Sequence, residues 1–188
     1  MKIINSFATI FLMLSSSILR SQTFEIKNIK AEVSYLASDA LKGRGTSSPE
    51  EIVAAEYIAK HFKDIGLKPY NNSFLKSYTY KKNRNPHDTS IANVKEQKAN
   101  NVVGFLDNQA PYTIVIGAHY DHLGLGHDHN SLDANPEGKI HNGADDNASG
   151  TAGVIELARY FSANKKTEPY NFLFICFSGE ELGLIGSK

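Results

Sequence analysis

The stretch "YTIVIGAHYDHLG" (residues 112–124) decides the fold. Ile114, Val115 and Ile116 make its first half apolar at successive positions, the pattern of a strand covered on both faces. Its second half turns abruptly polar and sets His119, Asp121 and His122 where that strand ends. The same change recurs in "YNFLFICFSGEELG" (170–183), where a buried-strand pattern runs into Glu180 and Glu181. Between the two lies "SGTAGVIELARYFSAN" (149–164), with Val154, Leu157, Ala158 and Phe161 on one helical face. Strand, loop, helix and strand place the chain in the α/β class. The expected architecture is a three-layer α/β/α arrangement around a central mixed sheet. Ligands of such sheets gather outside the carboxyl ends of the strands, where both of these runs deliver their acids and histidines.

Upstream, "FEIKNIKAEVSYLASDA" (24–40) spaces Ile26, Ile29, Val33, Leu36 and Ala40 by threes and fours, a helical core stripe. Gly43 and Gly45 break it, and a second helix is expected to start with Ser48 as cap, Pro49 in the first turn and Glu51 as the capping-box acid. Ile52, Ala55, Tyr57, Ile58 and Phe62 are its expected apolar contacts, and Gly66 its left-handed end. The polar stretch 71–97 reads as a solvated loop or edge hairpin, and "NNVVGFL" (100–106) as a further strand. Lys2 followed by the apolar run Phe7–Leu19 and the small, polar residues around Ser21 matches a secretory signal peptide over residues 1–21. The run is short of the roughly 20 apolar residues of a membrane span, so no stable membrane anchor is expected. Export follows, to the periplasm or outside the cell, with residues 22–188 forming the folded domain.

Lysine plus arginine and aspartate plus glutamate both number 20, so no net basic field exists to attract nucleic acid. The one cysteine, Cys176, lies inside an apolar strand pattern and reads as a buried small hydrophobe.

Three elements carry chemistry. His119 and Asp121, two apart, point to one side of an extended segment. One imidazole nitrogen can then bind a metal while the aspartate holds the other, although H-x-D alone is weak evidence. Asp145 and Asp146 precede the third helix, where acids also serve as caps. An aspartate meeting a histidine and a glutamate from neighbouring strand ends can instead bridge two cations. Of Glu180 and Glu181, one can bind metal while the other serves as a base, or both can open a helix. His122, His127, His129 and His141 read as solvated or structural loop residues, and His61 and His87 as surface residues.

Together "GAHYDHLG" (117–124), "NGADDNASGTAGVIELAR" (142–159) and "FSGEELGLIGS" (177–187) resemble the three successive motifs of the di-zinc aminopeptidases, metallopeptidase family twenty-eight. The lead-in "YLASDALKGRGTSSPEEIVAAEYIAKHFKDIGLKP" (35–69) is similar to that of secreted bacterial members. The resemblance implies a zinc exopeptidase fold and two Zn2+ ions. By motif, His119, Asp146 and Glu181 are metal ligands, Asp146 the bridging one. Asp121 is the partner of His119 and Glu180 the general base. A cis peptide after Asp146 is implied too. The implied reaction hydrolyses N-terminal peptide bonds of peptides or proteins through a metal-bridging hydroxide. Relatives on the same fold leave other activities open: glutaminyl cyclase, carboxypeptidase or a binding protein without catalysis. The family pattern needs a further aspartate and histidine beyond Lys188. The 188 residues are therefore expected to be an N-terminal portion with an unpaired sheet edge and negligible activity of its own.

Overall fold

The two apolar runs become neighbouring parallel strands. The computed structural model describes residues 24–81, 96–164 and 166–188. The leader expected over residues 1–21 and the basic stretch 82–95 with His87 lie outside them. In chain order the elements are α1 (Ile26–Leu36), α2 (Pro49–Ile65), β1 (Lys68–Pro69), β2 (Leu75–Lys81), β3 (Glu96–Leu106), β4 (Thr113–His119), α3 (Gly150–Ala163) and β5 (Asn171–Phe177). The sheet runs β1–β3–β5–β4, with β2 also paired to β3. β3 pairs antiparallel with β1, β2 and β5, whereas β4 and β5 are parallel, so the sheet is mixed and the class is α/β.

Helix α2 begins as its sequence dictates: the Ser48 hydroxyl accepts from the Glu51 amide at 3.0 Å, and Gly66 closes it at φ 92°. Its buried stripe is Ala54, Ala55, Ile58 and Phe62, while Ile52, expected inside, is exposed. Phe62 and Leu67 rest on β3 at Gly104, where a Cβ would come within 2.6 Å of Leu67 and 2.9 Å of Phe62. α3 packs on β4 and β5 and touches both α1 and α2, which places all three helices on one face of the sheet. The core between them joins Leu36, Ile58, Val102, Ile155, Phe174 and Cys176.

One expectation fails at β4. It forms an unpaired apolar edge, as expected, but the cover expected on both its faces is not there, with Val115 58 % exposed. Among the described residues no strand pairs with its outer side and no helix covers its second face. The apolar run records a strand built for burial, and the described part of the fold supplies one layer of helices for it.

The segment between α1 and α2 joins these layers through Arg44, which has no exposed surface. Its Nε donates to the Tyr120 carbonyl at 2.7 Å. One terminal nitrogen donates to the carbonyls of Leu36 and Asn142, and the other to Gly143 at 2.9 Å. A planar guanidinium is the side chain that can reach four acceptors fixed in different directions. Burial draws its pKa down to about 10, against the attraction of Asp121, so it stays charged at neutral pH.

Arg44→Lys is expected to cost about 2–4 kcal/mol in urea denaturation, because an ammonium cannot serve all four buried carbonyls. A loss below about 0.5 kcal/mol, the size of an ordinary surface change, would refute the clamp.

Candidate metal centre

Parallel pairing of β4 with β5 sets His119 opposite Phe177, so both chains leave the sheet side by side. The Tyr120 amide extends the ladder to the Phe177 carbonyl at 2.8 Å before the strands diverge. From there one chain delivers Asp121 and His122, and the other Ser178 to Glu181. The third chemical segment arrives with α3. Buried Thr151 donates to the His119 carbonyl at 2.9 Å, which holds the tight turn Ala144–Ser149 beside the strand ends. The peptide from Asp146 to Asn147 in that turn is cis, as the resemblance implies.

Asp121 is fully buried. Its carboxylate accepts from the Thr46 hydroxyl at 2.8 Å and from the Glu180 amide at 3.2 Å. Those bonds occupy both oxygens, and His119 Nδ1 stands 3.7 Å from Oδ1, outside hydrogen-bond range. Nδ1 instead meets the Asp121 main-chain carbonyl at 3.1 Å. The aspartate thus lies beside the imidazole, as the two-residue spacing predicts, while the bond runs through its backbone. Burial opposes a charge on His119, yet Asp121 and Glu180 outweigh it and push the pKa up to about 9.

With Nδ1 so engaged, Nε2 faces Asp146 at 3.0 Å and Glu180 at 3.8 Å. Asp146 also groups with Glu181 and His122, and ligand atoms of these three lie within 4.8 Å of one another. Asp146 is therefore common to two groups, one with His119 and one with Glu181 and His122. Its side chain is 69 % exposed, so it is open to a further partner. Glu180 is raised above the usual carboxyl range, chiefly by burial and further by Glu181, Asp121 and Asp146. Carboxylates and imidazoles in this mixture suit a borderline cation such as zinc, and a cation would relieve the crowding of the acids. Beside His119 and Glu180 opens a cavity of about 220 Å³, walled by Ala118, Asn147, Phe177 and Leu184.

Of the loop histidines read as solvated or structural, His122 takes the second course: it is half-buried and bonded to Glu181 at 2.6 Å. Asp145 stays exposed, and His129 pairs loosely with Glu137 at the surface. His141 bonds Ser131 and the Lys139 carbonyl, a loop role. His61 is less exposed than expected, with its ring edge-on to Tyr57.

Glu51, expected only as a cap, reaches the site as well. One oxygen accepts from the Ser47 amide at 2.6 Å, and the other bonds the Ser178 hydroxyl. Ser178 is held besides by Asn101 at its amide and Tyr78 at its carbonyl, so the turn that carries Glu180 and Glu181 starts from a fixed point.

Residues 101–188 match the family model for Peptidase family M28. The chain is 34 % identical over 150 residues to the alkaline phosphatase isozyme conversion protein of Escherichia coli, covering 78 % of this chain and 40 % of that one. It is 38 % identical over 80 residues to a probable leucine aminopeptidase of Arthroderma otae, covering 40 % of this chain and 19 % of the relative. A glutaminyl cyclase from Fimbriiglobus ruber shares the fold at TM-score 0.66 and 19 % identity, over 86 % of this chain and 47 % of that one. The chain thus spans less than half the length of each.

Burial pushes the Glu51 carboxyl up to about 8, against its bond to Ser178, with Asp121 adding to the rise. The folded chain keeps this proton over a range where an unfolded carboxyl, near 4.5, has lost it. Stability from this group is therefore full below that value and falls as pH rises towards about 8. Glu51→Gln should lack this fall, of about 1.4 kcal/mol per pH unit, in urea titrations at pH 5, 6.5 and 8. A slope equal to that of the unsubstituted chain would contradict the assignment.

Proposed function

We propose, from the premise that the chain belongs to Peptidase family M28 over residues 101–188, that the protein is a zinc-dependent aminopeptidase acting on peptide or protein N-termini. The observation that carries this reading is that Asp146 meets His119 at 3.0 Å and also groups with Glu181, their ligand atoms lying within 4.8 Å. His119 with Asp146, and Asp146 with Glu181, would each hold a zinc ion, whose charge would polarise the scissile carbonyl and acidify a water. The name of the fungal relative, a probable leucine aminopeptidase, supports the choice of substrate class. The leader pattern over residues 1–21 extends the proposal to an exported protein.

Within this reading the chain's own groups divide the work. Glu180 takes the proton of the attacking water and returns it to the departing amine. Its raised pKa helps both transfers, since a weaker acid is a better base and still gives the proton back. Its amide is tied to Asp121, which fixes the main chain of this residue in the lining of the cavity. Asp121 and Thr46 carry no proton in the reaction. They hold the His119 and Glu180 segments at a fixed separation.

Glu180→Gln in the full-length protein should bind zinc as before and lose about 10²–10⁴-fold in turnover of an aminoacyl p-nitroanilide. Turnover near that of the unsubstituted protein would remove Glu180 from the role of base. Release of pyroglutamate from N-terminal glutamine, with no free amino acid from any peptide, would replace the aminopeptidase reading with a cyclase.

A further inference from the structure

We propose that His122 is a positioning residue for Glu181: its Nδ1–H holds Oε1 and so commits the other carboxylate oxygen to a cation shared with Asp146. The inference rests on the reading of Asp146 and Glu181 as cation-holding carboxylates.

The distance between the two side chains rules out Nδ1 and Oε1 as joint ligands of one zinc ion and gives them a hydrogen bond instead. A nitrogen and an oxygen bound to one tetrahedral zinc, each about 2.1 Å from it, stand roughly 3.4 Å apart. His122 Nδ1 and Glu181 Oε1 are 2.6 Å apart, the spacing of a charge-assisted hydrogen bond. An ionised carboxylate only accepts, so the proton sits on Nδ1.

The ring is held from behind by parts of the fold that carry no chemistry. The His122 amide donates to the Arg44 carbonyl at 3.1 Å, and the residue forms a one-residue bridge with Gly45. Its Cγ and Cδ2 lie against Gly143, where a Cβ would come within 2.5 Å of both. Gly143, at φ 58°, is held in turn by Arg44 through its carbonyl. The main chain of Glu181 is fixed independently, by Asn130 donating to its carbonyl at 3.0 Å. Ligand and supporting imidazole thus come from different loops, each anchored before they meet. Such supporting bonds orient a metal-binding carboxylate and set its affinity.

The test is zinc affinity in the full-length protein, measured by competition with a chromogenic chelator with zinc alone, on variants matched for thermal midpoint. His122→Ala should weaken the zinc site that Glu181 shares with Asp146 about 10–100-fold. His122→Asn places an amide N–H where Nδ1 stood and should bind close to the unsubstituted protein. His122→Gln, whose amide falls nearer the Nε2 position, should bind as weakly as the alanine variant. If asparagine is as weak as alanine and glutamine, His122 is a ligand and the proposal falls. It falls also if all three variants bind normally. The asparagine and glutamine pair is close to histidine in size and decides the matter even if the alanine variant does not fold. Glu181→Ala is the separate check on the underlying site: normal zinc binding there would overturn that reading itself.

Discussion

Arg44 is a cation with no exposed surface whose donors are spent on main-chain carbonyls from three separate segments. One is the end of α1, one is the exit of β4 at Tyr120, and one is the approach to the turn that bears Asp146. Burying a guanidinium is costly, and the cost is offset only while every carbonyl stays where it is. The relative position of the His119 and Asp146 segments therefore follows from a charge that touches neither residue. Thr151 completes the arrangement from the other side by tying the first turn of α3 to His119.

A second set of bonds does the same for the acidic turn after β5. Asp121, buried between Thr46 and the Glu180 amide, and Glu51, bonded to Ser178, both tie that turn to residues 46–51. The short segment from Arg44 to Glu51 thus reaches all three chemical loops. None of its side chains is placed to react. Its contribution is rigidity, which a site built from three loops needs if its groups are to stay within reach of one another.

Much of this was legible beforehand. The α2 start at Ser48 and Pro49 and its end at Gly66 follow from local backbone chemistry, which neighbours in sequence decide. Strands β4 and β5 follow from unbroken apolar runs, and the chemical segments from polar residues at their ends. What escaped was every feature that depends on a distant partner. Glu51 satisfies the capping pattern whether or not Ser178 lies above it. His122 is one of several histidines in a polar loop, and the difference between it and His127 is a bond to a residue 59 positions away. Ile52 and Val115 were assigned to the interior because apolar residues at those spacings fit a core, yet exposure depends on what lies opposite.

By itself the sequence determined the α/β class, the order of the elements and the identity of the groups at the strand ends. Those follow from hydrophobic period, turn chemistry and residue type, all local properties. Only the tertiary structure decided that Asp146 meets His119 and groups with Glu181, that Asp121 reaches His119 through its carbonyl, and that His122 bonds Glu181. Those are distances of a few ångströms between chain segments up to 59 residues apart, set by buried hydrogen bonds whose partners no local pattern names.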